Sequence, residues 1–169
     1  MMSSSHESRL TSELRRLLST RRTAALGTLS ADGQPYVSMT PYAIDTRQAC
    51  LVILISGLAA HTRHIREHPQ VSLLISDAEE QGQPVHALGR LTIEADAQLA
   101  EPGSDDAGAL AQAYLKRFPE AEQIGALPDF RYVTLAPRAI RQIAGFGAAR
   151  DVSLEEFQRL LQRVGGSGG

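Results

Sequence analysis

The stretch richest in chemistry reads ISGLAAHTRHIREHPQVSLLI, residues 55–75. An apolar run ends at Ser56-Gly57, and a helix is expected over residues 59–68, stopped by Pro69. The N-terminus of a helix carries unpaired N–H groups and a partial positive charge, which suit a phosphate. The first turn here adds His61, Thr62 and Arg63: an imidazole, a hydroxyl and a permanently charged guanidinium. An ordinary surface helix with solvated cations fits the same spacing equally well. His61, His64 and His68 stand three and four apart and can share a helix face. That pattern invites a metal or haem-iron reading. No Asp, Cys or HExxH pattern accompanies it, so phosphate contact by His61 is preferred and no metal site is expected.

Other candidates carry less. Gly145-Phe146-Gly147 would let backbone approach a planar ligand or another subunit, and would equally serve as a plain turn. There is no GxGxxG, no P-loop and no GxSxG, so dinucleotide-binding, nucleotide-hydrolase and serine-hydrolase readings have no support. The single cysteine, Cys50, opens an apolar run and reads as a packed core thiol in a reducing compartment.

The elements that must hold these residues follow from periodicity. Leu10, Leu14, Leu17 and Leu18 stripe a helix over residues 8–20. Residues 23–29 and 35–44 read as two strands joined at Asp32-Gly33, with Pro41 marking an edge position or a bulge. LVILIS (51–56) and VSLLIS (71–76) read as buried strands. Residues 85–96 alternate as one long strand, broken at Leu88. A helix over 105–117 takes Asp105 as its N-cap, and strand segments at 130–135 and 139–144 bend at Pro137. Ser153 and Glu156 form a capping box before a closing helix. Short connections between early strands argue for an antiparallel barrel with peripheral helices.

Bulk properties narrow the partners. The 169 residues suit one domain over 1–164 with a flexible tail at 165–169. A net charge of −2 supplies no field to attract nucleic acid or an anionic membrane. The N-terminus has no long apolar segment, and a cytoplasmic location is expected.

Taken in order, AALGTLSADGQPYVSMTPYAID, LVILISGLAAHTRHIREHPQVSLLI, HALGRLTIEADA, AYLKRFPEA and DFRYVTLAPRAIRQIAGFGAA resemble the pyridoxamine 5′-phosphate oxidase-like FMN-binding split barrels. LAAHTRHIREHP, YLKRFPEA and GFGAA are most similar to the haem-utilisation (HugZ/HutZ-type) branch. The resemblance implies an α+β, mainly β fold: a six-stranded antiparallel split β-barrel with peripheral helices. It also implies a homodimer with FMN at the interface, a small-molecule substrate, and FMN-dependent oxidoreductase chemistry done at the flavin. By family position, FMN would be held near Ser38, Met39 and Thr40, and near Ser56, His61, Thr62, Arg63 and His64. His61 stands where many members carry Lys, His64 where many carry Asn, and Ser38 where the true oxidases carry Arg. The alternatives are a haem-binding or haem-utilisation protein, with His61, His64, His68 and His86 as candidate ligands, and a non-catalytic flavin-binding module. The haem-degrading members hold haem with a histidine in a C-terminal extension, whereas no histidine follows His86 here, and Ala148 replaces an expected Arg.

Overall fold

The computed structural model describes residues 7–164. The expected tail at 165–169 lies outside the described residues. Helix α1 (Arg9–Thr20) opens the chain, N-capped by the Ser8 hydroxyl. There follow β1 (Thr23–Leu29), β2 (Pro35–Pro41), β3 (Ala43–Asp45), β4 (Cys50–Ser56), α2 (Ala60–Glu67), β5 (Gln70–Ser76), β6 (Arg90–Leu99) and α3 (Asp105–Arg117). The short helix α4 (Glu122–Gly125), β7 (Phe130–Ile143), β8 (Ala149–Val152) and α5 (Leu154–Val164) complete it.

All pairings are antiparallel, in the order β2-β1-β5-β6-β7-β4-β3, with β8 added beside β7. β2 ends one side of this order and β3 the other, yet only Tyr42 separates them in the chain. The chain therefore closes the barrel through its own bend at Pro41-Tyr42. Counted as one bent strand, β2 and β3 make six barrel strands with β1, β4, β5, β6 and β7.

Two expectations change at β6 and β7. Residues 85–87 form a 3-10 turn rather than the start of a strand, and β6 begins at Arg90. The Asp77 N–H donates to the Gly89 carbonyl there, and the Asp77 carboxylate crowds the bare Cα of Gly89. β7 runs unbroken through Pro137, which pairs opposite Ala95 where the β6 register slips. That bulge absorbs the missing N–H. The N-cap of α3 is Ser104, one residue before the expected Asp105.

Inward-facing Leu26, Ile53, Leu73, Ile75, Leu91, Ile93, Val133 and Leu135 are fully buried and fill the barrel. The α1 stripe Leu14, Leu17 and Leu18 and the α5 stripe Phe157, Leu160 and Leu161 join this core. Each such side chain contributes about 1.5–3 kcal/mol on burial. The last turn of α1 has no basic residue of its own. Arg117 of α3 supplies one, donating to the Leu18, Ser19 and Arg21 carbonyls while its guanidinium lies over the Tyr42 ring.

Candidate functional site

Helix α2 lies against the β1–β2 hairpin, and imidazole–hydroxyl pairs join them. His61 Nδ1 sits 3.1 Å from Ser38 Oγ, and His64 Nδ1 sits 2.9 Å from Thr28 Oγ1. The His64 ring also meets Tyr36 edge to face at 5.3 Å. Strand alternation explains the match. Tyr36, Ser38 and Thr40 share one face of β2, while Thr28 pairs directly opposite Tyr36. The i, i+3 spacing of His61 and His64 spans the two-residue step between Ser38 and Tyr36.

The first turn of α2 is heavily engaged from within. Thr62 is fully buried, and its hydroxyl donates to the Ser56 carbonyl at 2.5 Å. The Ser56 hydroxyl accepts from the Leu58 N–H and donates to the Asp129 carboxylate at 3.0 Å. Gly57 N–H donates to the Asp129 carbonyl at 2.6 Å. The Ala59 and Thr62 amides donate to the Ser56 and Ala59 carbonyls. The approach to this helix thus already holds a carboxylate of the chain's own.

His61 is half-buried. Desolvation, reinforced by His64, lowers its pKa below the ordinary imidazole value, which favours the neutral ring. Its Nε2 is enclosed and has no partner. Arg63 is exposed and, among the described residues, makes no hydrogen bond or ion pair. The structure therefore brings Ser38, His61 and His64 together against β2, turns Ser56 and Thr62 inward, and leaves Arg63 in solvent. Thr40 is buried on its own strand with its hydroxyl on the Pro41 carbonyl, and Met39 points out from the opposite face.

Sequence reasoning passed over Asp129, Thr28 and Tyr36. Asp129 lies more than seventy residues from Ser56 in the chain, and only the β4–β7 register, Ser56 opposite Phe130, brings it near. Thr28 and Tyr36 were legible as hairpin partners with alternating faces. What they would touch was not.

The outer face of the hairpin is apolar and open. Val37 and Met39 are each 67% exposed, and the register continues this face through Ala25 to Leu74, itself 41% exposed. A groove of about 370 Å³ crosses it beside Gly27, Ser72 and Arg138. A second cavity, of about 280 Å³, lies between α1 and the end of β7, with Arg16, Arg90 and Gly145 in its wall. Cys50 is buried, and desolvation pushes its thiol up to about 12, so it is inert as a nucleophile. Among the described residues there is no cluster of metal-ligating side chains, and no helix is long and apolar enough to cross a membrane.

Residues 10–144 match the family model for pyridoxamine 5′-phosphate oxidase, and the chain belongs to that family, on its haem-utilisation branch. It is 32% identical over 152 residues to heme oxygenase HutZ of Vibrio cholerae, covering 89% of this chain and 85% of that one. The solved structure described as HutZ, the heme storage protein of V. cholerae, superposes with a TM-score of 0.72 at 30% identity, covering 79% of this chain and 94% of that one. A heme binding protein from Mycobacterium smegmatis shares the fold, with a TM-score of 0.79 at 23% identity, covering 90% of this chain and 61% of the other.

Proposed function

We propose that this chain is a haem-binding protein of the pyridoxamine 5′-phosphate oxidase-like family, acting as a homodimer. The observation that carries the reading is its likeness to heme oxygenase HutZ along 85% of that protein's length. Haem needs an imidazole with an open nitrogen, a cation for its carboxylates and apolar surface for its ring. The chain carries an exposed imidazole at His86, an exposed ring at Phe146 and, at Arg90, a cation without a carboxylate partner that lines the cavity at the end of β7. When bound, haem iron supplies electron-transfer or oxygen chemistry, while the protein's part is to hold and orient it.

The internal bonding at α2 supports haem over FMN. A flavin phosphate would meet the Asp129 carboxylate, a neutral His61 and hydroxyls already engaged. FMN-dependent oxidoreduction stands as a second reading, because Arg63 is an unpaired, exposed cation on α2, two residues along the chain from His61. The apolar face of Val37, Met39 and Leu74 supports a second copy as partner, since an exposed patch of this kind marks an association surface.

The test is a visible spectrum of the purified chain titrated separately with ferric haem and with FMN. A saturable Soret shift at one haem per chain, with no FMN binding, is the expected result. Tight FMN binding with no haem uptake would reverse the assignment.

A further inference from the structure

We propose that the pocket between the end of α1 and the connection 77–89 binds a small zwitterion of the amino acid class, with its carboxylate on Arg21 and its ammonium group on Glu80. The inference does not rest on the haem reading. The pocket measures about 290 Å³, and α1 supplies one side of its wall through Arg16 and the C-cap residue Arg21. The other side is the chain from Asp77 to Gly89, closed at its base where the Asp77 N–H donates to the Gly89 carbonyl. Arg16 ties this connection to α1 through bonds of 2.9 and 2.7 Å to the two Asp77 carboxylate oxygens. A volume of this size suits a ligand of a few heavy atoms.

The four charged side chains in the wall divide into one pair and two singles. Arg16 and Asp77 neutralise each other, with both carboxylate oxygens engaged. Arg21 is half-buried, its Nε is enclosed without an acceptor, and among the described residues its guanidinium makes no hydrogen bond or ion pair. A partly desolvated guanidinium holds an arriving carboxylate more strongly than one in open water. Arg117 adds a second positive charge at this end. It donates to the Leu18, Ser19 and Arg21 carbonyls and has no carboxylate partner of its own.

Glu80 lines the same pocket from the connection. Its carboxylate accepts from the neutral Gln83 amide at 2.8 Å and meets no cation. Arg21 and Glu80 do not pair with each other, so one unmatched cation and one unmatched anion stand at separate points of the wall. A simple anion or a simple cation would answer one of them and be repelled by the other. A ligand that carries both charges answers both. Ala78, Pro84, Ala87 and Leu88 form the apolar remainder of the wall, which suits a short side chain.

Calorimetric titration of the full chain with the standard amino acids and β-alanine, each at millimolar concentration, tests this. At least one should bind saturably at one per chain. The same compound without its amino group, or without its carboxylate, should bind about tenfold or more weakly. Arg21→Gln and Glu80→Gln should each weaken the zwitterion by a similar factor, while Glu13→Gln, in the neighbouring cavity, should bind as the wild type does. Glu80 stands on an exposed connection, so an unchanged melting temperature in its variant separates lost binding from lost folding. Binding of ferric haem should be the same in the wild type and in both variants, which keeps the outcome apart from that of the haem reading. No binding by any of these amino acids overturns the inference, as does binding that Arg21→Gln or Glu80→Gln leaves unchanged. Equal binding by the compound without its amino group reduces the pocket to a simple anion site and overturns it as well.

Discussion

Replacing Thr62 with valine separates a structural hydroxyl from a ligand-binding one. Thr62 is fully buried, and its hydroxyl donates to the Ser56 carbonyl at 2.5 Å. Valine has nearly the same shape, so no cavity opens. The Ser56 carbonyl keeps the Ala59 N–H as a donor and is not left wholly unpaired. What is lost is one buried hydrogen bond, worth about 0.5–1.5 kcal/mol, plus part of the cost of a carbonyl deprived of its closer donor. The expected destabilisation is about 1–2 kcal/mol. For a chain of this length that lowers the melting temperature by about 2–8 °C. Urea unfolding should show an earlier midpoint with an unchanged slope, because the surface exposed on unfolding is the same. Binding of haem to the folded variant should be unaffected. A loss of FMN or haem affinity with wild-type stability would refute the reasoning and return the hydroxyl to a ligand site.

Three more outcomes follow from the same junction and the face behind it. Because burial keeps His61 neutral in the folded chain, the unfolded chain takes up the proton first as pH falls below about 6.5. The stability due to neutral His61 is therefore present above that pH and lost as pH falls through the lowered value; thermal melts from pH 7.5 to 5 should show a slope that His61→Gln flattens, and an identical slope in both would count against it. Gly57→Ala would place a Cβ 2.9 Å from the Asp129 carbonyl oxygen, which is backbone and cannot swing away, so chemical denaturation should show a loss of about 1–3 kcal/mol; wild-type stability would mean the two backbones are not so close. Met39→Glu should weaken the proposed dimer by about a hundredfold or more, read by sedimentation, since a buried unpaired charge costs about 3–5 kcal/mol; a variant as dimeric as the wild type would move the interface elsewhere.

Much of the architecture was local enough to read. The leucine stripe of α1, the Asp32-Gly33 hairpin and the Ser153 N-cap depend on neighbours a few residues away, and the structure has each of them; the other half of the expected capping box is missing, because Arg150 and Thr11 take the Glu156 carboxylate. The errors came where distant strands decide. Residues 85–87 alternate like a strand, but the Ala87 and Leu88 amides bond back to the Pro84 and Val85 carbonyls as a 3-10 turn, and the pairing with the β5 side starts only at Gly89, whose carbonyl accepts from Asp77. Pro137 reads as a break, yet a register slip in β6 lets β7 pass through it.

The candidate site divides in the same way. The types and spacing of His61, Thr62, Arg63 and His64 were plain in the sequence, as was their place on a short helix after a buried strand. Their availability was not, because it is set by what the barrel brings against them. Only closure at Tyr42 and the β4–β7 pairing carry Ser38 to His61 and Asp129 to Ser56, spending on internal bonds the groups that spacing offered to a phosphate. His86 was legible as a candidate ligand by residue type, but the alternation placed it on a strand, and only the structure sets it, exposed, on a 3-10 turn next to the cavity-lining Ala87. Local pattern determines which elements form, since their bonds are made within a few residues; which side chains remain free to bind is a property of contacts made across the whole chain.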